Sequence, residues 1–155
     1  GDAPSPYLST TNQNGPRHKV IPGLSLGPTV SPDADARLSN ADTGDDGVTF
    51  APIYAAFQST VTLNVTNTTG GAAYVSVWID FDGNGIFSDS ERRVDSQAIT
   101  AASTTVSFSV LPSTGNGTGT PATKVGDTYA RVRLSSSPSA VASSTGSAPD
   151  GEVED

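Results

Sequence analysis

An all-β fold, closed as an antiparallel β-sandwich with long loops, is what these 155 residues predict. Three observations carry that expectation. The apolar runs are short, rich in Val, Ile and Leu, and alternate with Ser, Thr or Asn. Turn formers are dense, with 16 Gly and 11 Pro. No stretch keeps a helical period.

The elements follow in chain order. Pro4, Pro6, Pro16, Pro22, Pro28 and Pro32 make the opening segment extended and loop-like, with one short strand over Lys19 to Leu26. Asp33 to Asp46 reads as an acidic loop, and Val48 to Phe50 as the strand after it. Thr60 to Thr66 puts Val61, Leu63 and Val65 on one face. Ala73 to Phe81 sets Val75, Val77 and Ile79 against Tyr74, Ser76, Trp78 and Asp80. Val106, Phe108 and Val110 alternate with polar residues, as do Ala130, Val132 and Leu134. A period of two marks half-buried strands. Asn67 to Gly71 suits a tight connection, while Ser113 to Thr123 and Ser135 to Ser147 read as loops.

Length and composition fit one domain with a real core, although only 34% of residues are hydrophobic. The net charge is −8, so the surface repels phosphate backbones and nucleic-acid binding is not expected. Thirteen Asp stand against three Glu, a bias toward turns and cation loops rather than helices. Cysteine is absent, which removes disulfides and thiolate chemistry; a metal can serve as the staple instead. No stretch is long or apolar enough to span a bilayer.

Asp80-Phe81-Asp82-Gly83-Asn84-Gly85, closed by Glu91, satisfies the calcium-loop pattern D-x-[DN]-x-[DN]-G-x5-E. Ca2+ is a hard cation that takes about six to eight oxygens, which is why oxygen-bearing residues recur at alternate positions. Asp80, Asp82 and Asn84 are the expected side-chain ligands, with the Ile86 carbonyl, Ser88 or a water, and a bidentate Glu91. Gly85 falls at the sharp turn. The strand register points Asp80 and Trp78 away from the core face and places the loop at a sandwich edge, unlike a helical sensor. At the chain end, Asp150, Glu152, Glu154 and Asp155 repel one another unless a cation or arginines lie among them. Arg131 and Arg133 share a strand face and are placed to pair with them, and Asp2 is close if the termini meet.

Gly1-Asp2-Ala3-Pro4, Asp46-Gly47-Val48-Thr49-Phe50, Trp78 to Gly85 with Phe87 and Glu91, Arg131 to Leu134, and Asp150 to Asp155 together resemble the GEVED domain of bacterial extracellular proteins. The resemblance covers essentially the whole chain. It implies a calcium-loaded β-sandwich within large secreted or surface proteins, similar to the peptide-binding modules of giant RTX adhesins. Those modules look like binders of exposed protein C-termini that use bound Ca2+ to take the terminal carboxylate. Carried onto this chain, it supports Asp80, Asp82, Asn84 and Glu91 as ligands and adds Asp2, Glu152 and Asp155 as further metal candidates. Asp45, Asp46, Trp78 and Arg131 are candidate ligand-binding residues. The family often has a longer acidic run before its Gly-Val than Asp45-Asp46, and it usually continues past the position of Asp155, which suggests a piece of a longer chain.

The expected function is therefore a Ca2+-dependent adhesin module, with several ions, that binds a peptide or protein C-terminus on a target cell surface. A carbohydrate-binding module and a calcium-rigidified spacer are the alternatives; sparse aromatics weigh against a sugar platform. The module is expected to be monomeric, extracellular and not inserted in a membrane. Enzyme activity is not expected: His18 is the one histidine, and no G-x-S-x-G elbow occurs. A Lys–Asn crosslink would have only Lys19 and Lys124 to draw on.

Overall fold

A computed structural model describes residues 3–28, 47–50, 52–53, 58–110 and 123–155. Its elements are β1 (Arg17–His18), β2 (Leu24–Leu26), β3 (Val48–Phe50), β4 (Ser59–Asn67), β5 (Ala73–Ile79), β6 (Arg92–Ile99), β7 (Ser103–Val110), β8 (Ala130–Ser135), β9 (Ser147–Ala148) and β10 (Glu152–Glu154). Two single-turn 3-10 helices, Thr11–Gln13 and Asp89–Glu91, are the helical structure among the described residues.

Two antiparallel sheets form the sandwich. In one, β4 is central, with β7 on one edge and β2 and β3 sharing the other. The second runs β10-β8-β5-β6. Their facing sides interlock Leu24, Leu26, Val61, Leu63 and Val65 with Val75, Val77, Ile79, Val132 and Leu134, all essentially buried. Burying each such side chain contributes about 1.5–3 kcal/mol, so this layer is the main source of stability. The alternation in β4, β5, β7 and β8 fixes which residues face it.

The outer face of the second sheet departs from the half-buried expectation. Ser76, Trp78, Asp80, Arg131, Arg133 and Ser135 are all 0% exposed. Trp78, Asp80, Arg131 and Arg133 lie beneath residues 3–18 and 141–148, which β1 and β9 join as a short parallel ribbon. Ala3, Tyr7, Trp78 and Phe87 form a second apolar cluster there. A guanidinium leaving water must find acceptors for its N–H groups, and the covering segments supply backbone carbonyls. Arg131 donates to the Leu8 and Ser144 carbonyls. Arg133 donates to those of Ser143, Thr145 and Gly146. The predicted strand from Lys19 reduces to Leu24–Leu26, with β1 just before it.

The tail forms β10 rather than a frayed end, pairing Glu152, Val153 and Glu154 with Leu134, Arg133 and Val132. Gly151 turns into it at φ +89, where a Cβ would lie 1.9 Å from the Leu134 carbonyl oxygen. Only glycine meets both conditions. Asn67, at the end of β4, is buried and its amide donates to the Gly71 and Ile99 carbonyls.

Candidate metal centre

The loop leaves β5 at Asp80 and returns to β6 after Glu91. Asp80 organises it. Its Oδ1 accepts the Gly83 N–H at 2.7 Å, and its Oδ2 accepts the Gly85 N–H at 2.9 Å. The Asn84 N–H is shared between Asp80 Oδ1 at 3.2 Å and Asp82 Oδ1 at 3.0 Å. Asn84 Oδ1 in turn accepts the Ile86 N–H at 2.8 Å. Gly83 and Gly85 both take positive φ, +65 and +80, which lets successive N–H groups converge on one carboxylate.

Glu91 closes the loop from the other side. Its Oε1 accepts the Phe81 N–H at 3.0 Å, and its Oε2 accepts the Ser88 N–H and hydroxyl at 3.0 and 2.8 Å. Ser88 is thus placed by Glu91, as in a capping box. Asp80 and Glu91 are fully buried, Asp82 is half-buried, and Ile86 is exposed.

One carboxylate oxygen from each of Asp80, Asp82 and Glu91 lies within 4.8 Å of the others. At an effective dielectric near ~20, such a pair of like charges repels by about 3 kcal/mol. Burial would raise the Asp80 pKa, but hydrogen bonds from Tyr7 and Gly85 outweigh it and hold the group below the usual carboxylate range. The carboxylate is therefore ionised at neutral pH, and the cluster favours a cation. The donor set is oxygen throughout, which fits a hard divalent ion and not a soft one.

Tyr7 is the contributor that sequence reasoning does not reach. Its hydroxyl donates to Asp80 Oδ2 at 2.5 Å, and its ring stacks on Phe87 with centroids 4.9 Å apart. Burial, then the Asp80 contact, raises the phenol pKa well above its ordinary value. Asp80 is 73 residues away, and a tyrosine in a proline-rich lead segment carries no local signal.

The other candidates fall elsewhere. Asp155 is buried against Arg131, which makes a two-point ion pair with it. Asp155 also accepts the Ala3 N–H at 3.2 Å, so the chain ends meet. Glu152 accepts the Leu26 N–H at 2.6 Å, and Glu154 accepts that of Gly47 at 3.4 Å. These carboxylates tie β10 to the opposite sheet and stand apart from the Asp80 cluster. Arg133 takes carbonyls and His18 in place of the expected tail carboxylates. Arg131 and Trp78 are sealed from solvent by residues 3–9, which puts them out of reach of an external ligand in this arrangement. Asp2, Asp45 and Asp46, with the rest of the Asp33 to Asp46 loop, lie outside the described residues.

Behind the loop, a cleft of about 710 Å3 opens at the ends of β3, β5 and β8. Phe50, Ile53, Phe81, Lys124 and Tyr129 are among its lining residues. Phe50 and Tyr129 are 42% and 39% exposed. The cleft touches the loop through Phe81, and Lys124 packs beside Gly83.

A two-sheet β-sandwich with a carboxylate loop at one end and a closing Glu-Val-Glu strand is the class these features define. The model of the GEVED domain matches residues 74–155, just over half of the chain, and the chain belongs to that family. No curated protein and no solved structure matches it.

Proposed function

We propose that this chain is a calcium-dependent ligand-binding module of a large bacterial surface adhesin, taking extracellular peptides and chiefly protein C-termini. One observation carries the reading: Asp80, Asp82 and Glu91 converge within 4.8 Å on a loop with calcium-binding spacing. A calcium ion there supplies fixed positive charge and open coordination for a carboxylate that the acidic surface would otherwise repel. Asp80, Asp82, Asn84 and Glu91 hold it, with the Ile86 carbonyl, and Ser88 is bound to Glu91 Oε2 beside it. The cleft behind Phe81 has a volume suited to a short peptide; its lining holds Lys124 against Asp127 and Asp155, so capture of an anionic end falls to the cation. Residence in an extracellular adhesin rests on the family resemblance.

The test is isothermal titration of free-acid and C-terminally amidated peptide pools into the protein, in calcium and in chelator. Calcium-dependent binding of the free acids alone is the expected result. Equal binding of the amidated pool overturns the carboxylate mechanism. Binding on a glycan array with none to peptides replaces peptide by carbohydrate. A calcium-dependent rise in melting temperature with no ligand of either class leaves a rigid spacer.

A further inference from the structure

Residues 3–9 cross the outer face of the second sheet and meet the loop at Gly85, at Phe87 and at the Asp80 carboxylate. Asp80 Oδ2 receives the Tyr7 hydroxyl and the Gly85 N–H, while Oδ1 receives N–H groups of the loop itself. The phenol thereby fixes the rotamer of Asp80 from outside the loop. Pro6 lies against Gly85, where an added Cβ would sit 2.2 Å from its Cγ. The Tyr7 ring packs on Phe87, within the loop, and lies 5.1 Å from Tyr129 at the cleft.

We propose that Tyr7 is a positioning residue for the cation site, and that its bond to Asp80 couples ion occupancy to docking of residues 3–9. This rests on the reading of the loop as a cation site. The coupling has a definite sign. Without a cation, repulsion among Asp80, Asp82 and Glu91 drives the loop to open, and opening displaces the acceptor that holds Tyr7. With a cation, Asp80 keeps the orientation that Tyr7 needs. By linkage, a segment that docks better on the loaded loop must strengthen ion binding by the same factor. Docked, the segment covers Trp78 and delivers the Leu8 carbonyl to Arg131. The cation site therefore reaches the buried arginine through Tyr7, alongside the Phe87 ring, over which the Arg131 guanidinium lies at 4.7 Å.

The probe is calcium alone, titrated calorimetrically into chelator-stripped protein and into Y7F, with amide hydrogen exchange read in both. A hydrogen bond to a charged group is worth enough to predict roughly ten-fold or greater weakening of calcium binding in Y7F. Calcium should slow exchange at Tyr7, Leu8 and Ser9 in the unmodified chain. In Y7F it should no longer do so, while protection of β4 and β7 stays unchanged. A merely packing role for the ring, which Phe preserves, predicts neither change. Equal calcium affinity in the two proteins overturns the inference and leaves the site reading standing. No calcium binding by the unmodified chain overturns both. If Y7F does not fold, exchange at Tyr7 to Ser9 in the unmodified chain decides alone, and indifference to calcium there overturns the coupling.

Discussion

Arg133 donates its Nε–H to Nε2 of His18 at 3.0 Å, while His18 Nδ1 meets the Asp150 carbonyl at 2.9 Å. Only a neutral imidazole with its hydrogen on Nδ1 satisfies both partners. Burial, and then the charge of Arg133, push the His18 pKa down to about 4. Arg133 responds in kind: burial and Arg131 lower its pKa to about 10.

Acid sensitivity follows. The unfolded chain takes up the imidazole proton near pH 6.5, before the folded one does. Stability from this site is full above that pH and declines as pH falls to about 4, by at most about 3 kcal/mol. Urea midpoints between pH 7 and 4 should show the slope, and H18Q should flatten it. Asp80 and Asp150 are held below the usual carboxylate range, so their own losses come at lower pH.

Asp155→Asn should be strongly destabilising. Arg131 and the Asp155 side chain are both 0% exposed, and the change leaves a buried guanidinium without its carboxylate. Breaking one side of such a pair costs about 3–5 kcal/mol. Chemical denaturation measures this, and Arg131→Lys should lose most of the same stability because an ammonium cannot repeat the two-point pairing.

Gly151→Ala places a Cβ 1.9 Å from the Leu134 carbonyl oxygen, at a φ of +89 that alanine resists. Several kcal/mol of destabilisation is expected, beyond the roughly 1 kcal/mol of an ordinary glycine replacement. Gly70→Ala, with nothing within 4 Å but a φ of +85, is the control: it isolates backbone strain from collision.

Chelation should lower the melting temperature of the unmodified chain, and calcium should restore it. D80N and E91Q each remove a buried member of the oxygen cluster and should abolish the calcium-dependent part of that rise. E152Q should leave it intact, since Glu152 contacts the Leu26 N–H and lies outside the cluster. Differential scanning calorimetry with and without chelator separates the three.

The strands that the sequence shows plainly are those whose alternation is unbroken: β4, β5, β7 and β8. β6 escapes because its buried residues Val94 and Ile99 are five apart, out of phase for a straight strand. Ser96 at φ +47 and a register shift opposite Val75 to Val77 restore the phase, and neither has a local signature. The outer face misleads for a related reason. Arg131 and Arg133 look solvated, because the segments that bury them cover them with backbone carbonyls rather than a patterned apolar face. The carboxylate loop is legible because its spacing is local, whereas Tyr7 reaches it only through tertiary structure. The tail shows a third case. Its charges invite a cation, yet Glu152, Glu154 and Asp155 meet N–H groups of Leu26, Gly47 and Ala3, which no sequence window brings together.

That arrangement has a consequence for how the chain acquires its structure. Residues 152–155 close contacts with Ala3, Leu26, Gly47 and Arg131. A chain emerging N-terminus first cannot complete the second sheet, whose edge is β10, until its GEVED segment arrives. Contacts of such sequence separation make folding slow relative to local structures. The closing acidic strand is therefore the last to join its sheet, and its arrival brings the two ends of the described chain together.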